Sequence, residues 1–318
     1  MAARALAGLK AHERLSSGHY MLRRWSLEED VRHLQRLGFR SISLASTKLG
    51  AYGVERAIRL VRASALKVAH VGSYGWFGTE PQTIRKGIEQ VRRAIEWVHR
   101  LDGDALFVIS GGRDAATWEA AARAYRDAYA RLLPEATAAG IRLAVEVIHP
   151  LRQDLSFINT LADAREIARA AGRRGGYVLD FFHSGWERRL LETVRADAAA
   201  RIHAVQISDV KRVTLRTMDR ALLGEGVLPL RALVRTLERG GYRGWYEAEI
   251  ISDDLERIGY ERVLRQTRAA FARLVSPRRT PSGVRTRRPV LAGAGRASRS
   301  LPGRAGPGNV PSGPARAR

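Results

Sequence analysis

The chain has 318 residues, 45% of them hydrophobic, no cysteine and a net charge of +23. That is enough apolar residue for one large core or two smaller ones, and it excludes disulfides, thiolate metal ligands and a cysteine nucleophile. No apolar run reaches the roughly eighteen residues of a membrane-spanning helix, and the N-terminal MAARALAGLKAHERL lacks the apolar stretch of a signal peptide, so a cytoplasmic protein is expected.

A weak first strand is expected near 14–20. SLEEDVRHLQRLG (26–38) has helical spacing of its apolar residues, with Ser26 and Glu29 as a capping box. RSISLAS (40–46) reads as a strand, followed by a helix near 53–64, a strand LKVAHV (66–71) and a long helix near 81–100. ALFVIS (105–110) is strand-like, and 114–139 is helical up to Gly140. IRLAVEV (141–147), GYVLDF (176–181), IHAVQIS (202–208) and GWYEAEI (244–250) complete the strands, with helices at 160–171, 187–198, 229–239 and 257–274. Eight β/α units in about 275 residues suit a closed (β/α)8 TIM barrel, one α/β domain over 1–276. A doubly wound open sheet normally carries a glycine-rich phosphate loop after its first strand, and neither GxGxxG nor a P-loop pattern occurs here.

From 277 the composition turns to Pro, Gly, Ser and Arg, too poor in periodic apolar residues to fold, so 277–318 reads as a disordered basic tail. Ten arginines and no acid fall in it, leaving 45 bases against 32 acids before it. That excess could attract nucleic acid. The bases before 277 alternate with acids, however, and no aromatic residues interleave with them as a stacking surface requires. A small-molecule partner is expected over nucleic acid.

Three carboxylates stand out because of where the strands put them. Glu146 leaves LAVEV, Asp180 ends GYVLD and Glu249 closes WYEAE, each at the C-terminal end of a strand, where a (β/α) barrel keeps its chemistry. Converging carboxylates repel unless a cation sits between them, which is the case for a metal site. Asp180 and His183 form D-x-x-H just past a strand; one can ligate while the other contacts substrate, or both can ligate. On the next strand His203 and Gln206 point to opposite faces. Gln206 is nearer the C-terminal end and is the expected ligand, with His203 turned toward the helical layer. Glu247 shares a face with Glu249 but lies deeper, as a paired core group or one that supports a ligand from behind. The set Glu146, Asp180, Gln206 and Glu249 is hard and oxygen-rich, which favours one Mn²⁺, Mg²⁺ or Co²⁺ over Zn²⁺. His70, in VAHVGSY, also lies near a strand end, where it could line the pocket and meet substrate or simply be a polar residue before a loop. Trp76, Phe77 and Trp186 could wall a pocket, and Lys211 or Arg220 could meet a substrate phosphate. DRALLGEG (219–226) could order a loop over substrate or merely make a turn.

With EVIHP, VLDxxH, SD…DR.LLGEG and GYRGWYEAEI in this order and spacing, residues 15–275 resemble the xylose isomerase-like barrel superfamily of sugar phosphate isomerases and epimerases. The resemblance implies a divalent cation held by Glu146, Asp180, Gln206 and Glu249, with His183 touching substrate. Many relatives carry His where this chain has Gln206, and Gln there looks like the hydroxypyruvate isomerase branch. The EVIHP and DR.LLGEG segments look more like uncharacterised sugar isomerase relatives. Abasic-site endonucleases of the endonuclease IV type share the barrel but need three metals and more His ligands. Ser110 and Ala221 stand here where those enzymes place histidines.

The expected chemistry is aldose–ketose isomerisation or ketose epimerisation, with the cation stabilising an enediolate. Glu146 and Glu249 would remove and return the proton, and His183 would orient a hydroxyl. A dehydratase of a cyclic keto-polyol would use the same enolate chemistry. Two other classes remain as alternatives: metal-dependent phosphodiester cleavage, and a non-catalytic barrel serving as a binding module. A homo-oligomer is compatible with the sequence, and no membrane partner is expected.

Overall fold

The computed structural model describes residues 6–276 apart from Ala7, His19, Trp76, Phe77, Thr214, Leu215 and Thr217. The tail reading for 277–318 and the pocket roles for Trp76 and Phe77 lie outside the described residues. Within them, eight parallel strands run β1 (Leu15–Ser17), β2 (Ser41–Ala45), β3 (Lys67–Tyr74), β4 (Ala105–Ile109), β5 (Arg142–Glu146), β6 (Gly176–Asp180), β7 (Ile202–Ile207) and β8 (Tyr246–Ala248). Their spatial order is β1-β8-β7-β6-β5-β4-β3-β2. A bridge from Gly18 to Ser43 joins the two ends, so the sheet closes into the expected TIM barrel. Closure needs a glycine there: a Cβ on Gly18 would stand 1.7 Å from the Ser43 carbonyl oxygen. The hydroxyls of Ser16 and Ser43, 2.8 Å apart, tie the same seam.

The helices are α1 (Leu27–Arg36), α2 (Ser46–Tyr52), α3 (Val54–Ala63), α4 (Pro81–Arg100), α5 (Trp118–Ala138), α6 (Leu161–Ala170), α7 (Phe181–Ser184), α8 (Leu190–Asp197), α9 (Leu230–Arg239), α10 (Asp253–Ile258) and α11 (Tyr260–Val275). Ser26 and Glu29 cap α1 reciprocally, at 3.2 and 2.7 Å, and Leu27, Val31 and Leu34 face the sheet. The segment expected as one helix near 53–64 is α3, preceded by the separate α2. Gly53, at φ +87°, breaks them, a conformation that β-carbon sterics deny most other residues. The helix expected over 257–274 is likewise divided, at Gly259, into α10 and α11. β8 is shorter than its apolar run because its partner β1 has only three residues to pair.

Apolar side chains between sheet and helices form one continuous core, including Leu34, Val91, Leu132, Ile167, Leu237 and Leu264. Inside the barrel a smaller cluster of Phe107, Ala144, Val178 and Ala204, with Tyr20 against it, plugs the axis. Above that plug, toward the strand C-termini, the interior side chains turn polar.

One expectation about β7 needs correction. The ladder from β6 to β7 slips between Tyr177 and Val178, so Ile202 and Ala204 face consecutive residues and His203 is the extra residue of a bulge. The strict alternation that turned His203 toward the helical layer does not hold there. Its ring lies against Gly176, and its Nδ1 donates to the Leu143 carbonyl at 3.0 Å.

Candidate metal centre

Strand ends bring the charged groups together. Glu146 and Asp180 are the last residues of β5 and β6, Gln206 is one residue short of the end of β7, and Glu249 follows β8 directly. Asp180 and Gln206 are register partners, as are Gln206 and Glu247. All five are buried. Glu146, Asp180 and His183 each offer an atom that could bind a metal ion, and these atoms lie within 4.8 Å of one another.

Asp180 is fixed from two sides. Its Oδ1 accepts the backbone N–H groups of Phe182 (2.6 Å) and His183 (3.1 Å), capping α7. Its Oδ2 accepts Arg220 Nη2 at 2.9 Å. The same Nη2 donates to Glu249 Oε1 at 3.0 Å and lies 3.3 Å from His183 Nε2. The guanidinium also sits 4.7 Å above the Phe182 ring. Arg220 is thus at the centre of the cluster, placed there by a short antiparallel ribbon, Asp209–Val210 with Arg220–Ala221. Gln206 Nε2 donates to Glu249 Oε2 and, at 3.3 Å, to Glu247 Oε2. Its Oε1 is buried with no partner.

The charges respond accordingly. Burial raises Glu146 well above the usual carboxylate range, helped by Glu249, Asp180 and Glu247. Burial lifts Glu249 to about 8, against the pull of Arg220. Burial alone would raise Asp180 too, but the nearby His183 ring when it is protonated, then the charge of Arg220 and its hydrogen bond, with the His183 backbone N–H, hold it low. Burial pushes His183 down to about 4, so its ring is neutral near pH 7. His183 Nδ1 accepts the His149 backbone N–H at 3.1 Å. A neutral ring with an accepting Nδ1 carries its proton on Nε2, the nitrogen facing Arg220 and Asp180.

The other residues singled out in the sequence fall in different places. His70 is not near a strand end as expected: β3 runs on to Tyr74, so His70 sits mid-strand, buried inside the barrel and paired with Glu247. Trp186 stands half exposed on the rim, its Nε1 donating to the His183 carbonyl at 2.8 Å. Lys211 is not brought to the cluster: its ammonium is held by Asp219 (2.6 Å), Asp254 (2.6 Å) and Ser252 (3.1 Å). Ser110 bonds Ser156 and the Phe157 N–H rather than presenting a metal ligand. Two contributors had no assigned role from sequence. His149 acts through its backbone, which no side-chain pattern reveals. Asp209, in the SD motif, accepts the N–H groups of Val210, Gly224, Gly226 and Leu228 at 2.9–3.1 Å and so builds the LLGEG turn. Among the described residues no helix is long and apolar enough to cross a membrane.

A family model described as Xylose isomerase-like TIM barrel matches residues 31–274. Among solved structures, protein SMc04130 from Sinorhizobium meliloti 1021 is 28% identical, with a TM-score of 0.77 over 83% of this chain and 98% of that one. The IOLI protein, solved with a bound zinc atom, is 19% identical, with a TM-score of 0.72 over 82% and 97%. The 3-keto-D-glucoside 4-epimerase YcjR from E. coli is 19% identical, with a TM-score of 0.65 over 82% and 98%. No curated protein matches the chain significantly.

Proposed function

The chain belongs to the xylose isomerase-like TIM barrel family, and we propose that it is a divalent-metal-dependent isomerase or epimerase of a sugar, sugar phosphate or related keto-polyol. The observation that carries this reading is the crowding of buried Glu146, Asp180 and Glu249 at the strand ends, where Glu146, Asp180 and His183 offer ligand atoms within 4.8 Å of one another, together with a Gln206 amide oxygen that is buried without a partner. A buried orphan acceptor beside crowded carboxylates is what a cation site looks like before its ion is counted. The donor set fits: Glu146, Asp180, Gln206 and Glu249 would hold the ion. Mn²⁺, Mg²⁺ or Co²⁺ suit these oxygens better than Zn²⁺, although a barrel of similar fold carries zinc. The His183 ring is kept out of this set, because a ligating imidazole usually donates through its other nitrogen, whereas Nδ1 here accepts.

When bound, the ion would withdraw electron density from a substrate carbonyl and offset the charge that develops on loss of the α-proton. Glu146 and Glu249 would take and return that proton. Carboxylates raised toward neutrality are suited to both directions of transfer. His183 Nε2–H would donate to a substrate oxygen, and Arg220 would meet an oxygen or phosphate from the same side. An isomerase, an epimerase and a dehydratase of a cyclic keto-polyol share these steps. The nuclease reading has less support, since Ser110 and Ala221 supply no imidazole where further metals need one.

The test is elemental analysis of the full chain beside Glu146→Ala, with a ketose and keto-polyol screen in D₂O under Mn²⁺. About one ion per chain, lost in the variant, and solvent deuterium at the carbon next to the carbonyl are expected. Two or three zinc ions with cleavage of abasic DNA would replace this reading by the nuclease one.

A further inference from the structure

Arg220 is fully buried, and its backbone is fixed on several sides. Its N–H donates to Ile251 O at 2.9 Å, Ala221 pairs with Asp209, and Asp219 is held by Lys211 and Ser252, both at 2.6 Å. The guanidinium is less well held. Nη2 alone bonds Asp180 and Glu249. Among the described residues Nε is buried with no partner, and Nη1 finds only the Met218 sulfur at 4.0 Å. An arginine serving structure normally spends its planar fork on paired acceptors. This one behaves as a point charge, placed where a cation shared by Asp180 and Glu249 would lie. Leaving Nε–H buried and unbonded is a standing penalty of this pose, and Gln206 Oε1, on the amide whose Nε2 bonds Glu249, is likewise buried without a partner.

We propose that Arg220 is the resident counter-ion of this carboxylate cluster, and that its guanidinium must leave Asp180 and Glu249 before a divalent ion is bound. The inference rests on reading Glu146, Asp180, Gln206 and Glu249 as the metal ligands. It makes Arg220 a positioning residue for the empty cluster and a competitor for its occupant. Metal affinity is then lowered by the fraction of time that the guanidinium holds the site. If that fraction is about nine-tenths, removing the competitor tightens binding about tenfold. Arg220→Met removes the charge at similar length, and Arg220→Lys keeps a charge.

The experiment is Mn²⁺ titration of chelator-treated full-length protein by calorimetry and electron paramagnetic resonance, for the wild type, Arg220→Met and Arg220→Lys. Melting curves of each accompany it. Arg220→Met is expected to bind Mn²⁺ about tenfold tighter than the wild type, to melt lower without metal, and to gain more in melting temperature on adding it. Arg220→Lys should stay near the wild type. A crystal structure of the wild type with Mn²⁺ separates displacement from simple repulsion and needs no variant to fold. Nη2 out of hydrogen-bonding reach of both carboxylates supports the proposal, and Nη2 still on both overturns it. Wild-type binding with no gain in Arg220→Met overturns the proposal alone. No Mn²⁺ binding by any of the three removes the metal-site reading together with it.

Discussion

His70 Nε2 and Glu247 Oε2 lie 2.6 Å apart inside the barrel, on strands separated by β1 and β2, and both side chains are buried. Glu247 also accepts from Gln206 at 3.3 Å. The pair therefore joins β3 to β8 and gives Gln206, the register partner of Glu247, an acceptor. Breaking a buried polar pair by removing one partner strands the other, at about 3–5 kcal/mol where charge is left unpaired. Replacing both partners by apolar groups costs much less. Glu247→Leu and His70→Leu should each lower stability by about 2–4 kcal/mol, with the double variant well short of their sum. Urea unfolding of all four proteins measures the coupling, and additive losses would contradict the pairing.

Asp209 has a different task. One carboxylate satisfies four backbone N–H groups from Val210, Gly224, Gly226 and Leu228. Asn has one acceptor oxygen and would turn an NH₂ group toward two of those donors. Asp209→Asn should cost about 2–4 kcal/mol in stability. Hydrogen exchange at the amides of Gly224, Gly226 and Leu228 should accelerate before the rest of the barrel opens. Unchanged protection there would mean that the turn stands without Asp209.

The bulged His203 gives a pH signature. Burial, then the nearby Arg142, depresses its pKa to about 3. An unfolded histidine titrates near 6.5. Between those values the unfolded chain binds the extra proton, so stability falls as pH falls through this window and is unaffected by this group above it. Other buried acids titrate in the same range, so the clean measurement is a difference. Relative to His203→Asn, which can still donate to the Leu143 carbonyl, the wild type should lose about 2 kcal/mol between pH 7 and pH 5. A pH-independent difference between the two unfolding curves would show that His203 takes up its proton as readily in the folded protein as in the unfolded chain.

The barrel was legible because its evidence is periodic: apolar strands alternate with amphipathic segments, and Ser26 with Glu29 announces a helix start. Breaks at Gly53 and Gly259 were less visible, since a glycine inside a helical pattern does not say whether it bends, breaks or only tolerates. Carboxylates at strand ends could be placed from sequence because alternation and strand direction fix where they point. Partnership could not. That Arg220 lies among Asp180, His183 and Glu249, or that Lys211 turns to Asp219 and Asp254, depends on a ribbon formed across a long loop. The His203 bulge escaped because one inserted residue changes the face of a side chain without changing composition.

Gln206 offers a direct test of metal choice. Its amide bridges Glu249 and Glu247 through Nε2 and leaves Oε1 unbonded. As a ligand it would complete an all-oxygen set, which suits hard ions such as Mn²⁺ and Mg²⁺. Gln206→His would substitute an imidazole nitrogen, a better donor for zinc. It would also take the amide donor away from Glu249 and Glu247. The preference for Zn²⁺ over Mn²⁺ should rise about tenfold or more in Gln206→His, measured by competition with a chelator of known affinity. The variant should melt lower than the wild type until metal is added. Equal Zn²⁺ to Mn²⁺ ratios in the two proteins would place Gln206 outside the ligand set and leave Glu146, Asp180 and Glu249 to hold the ion without it.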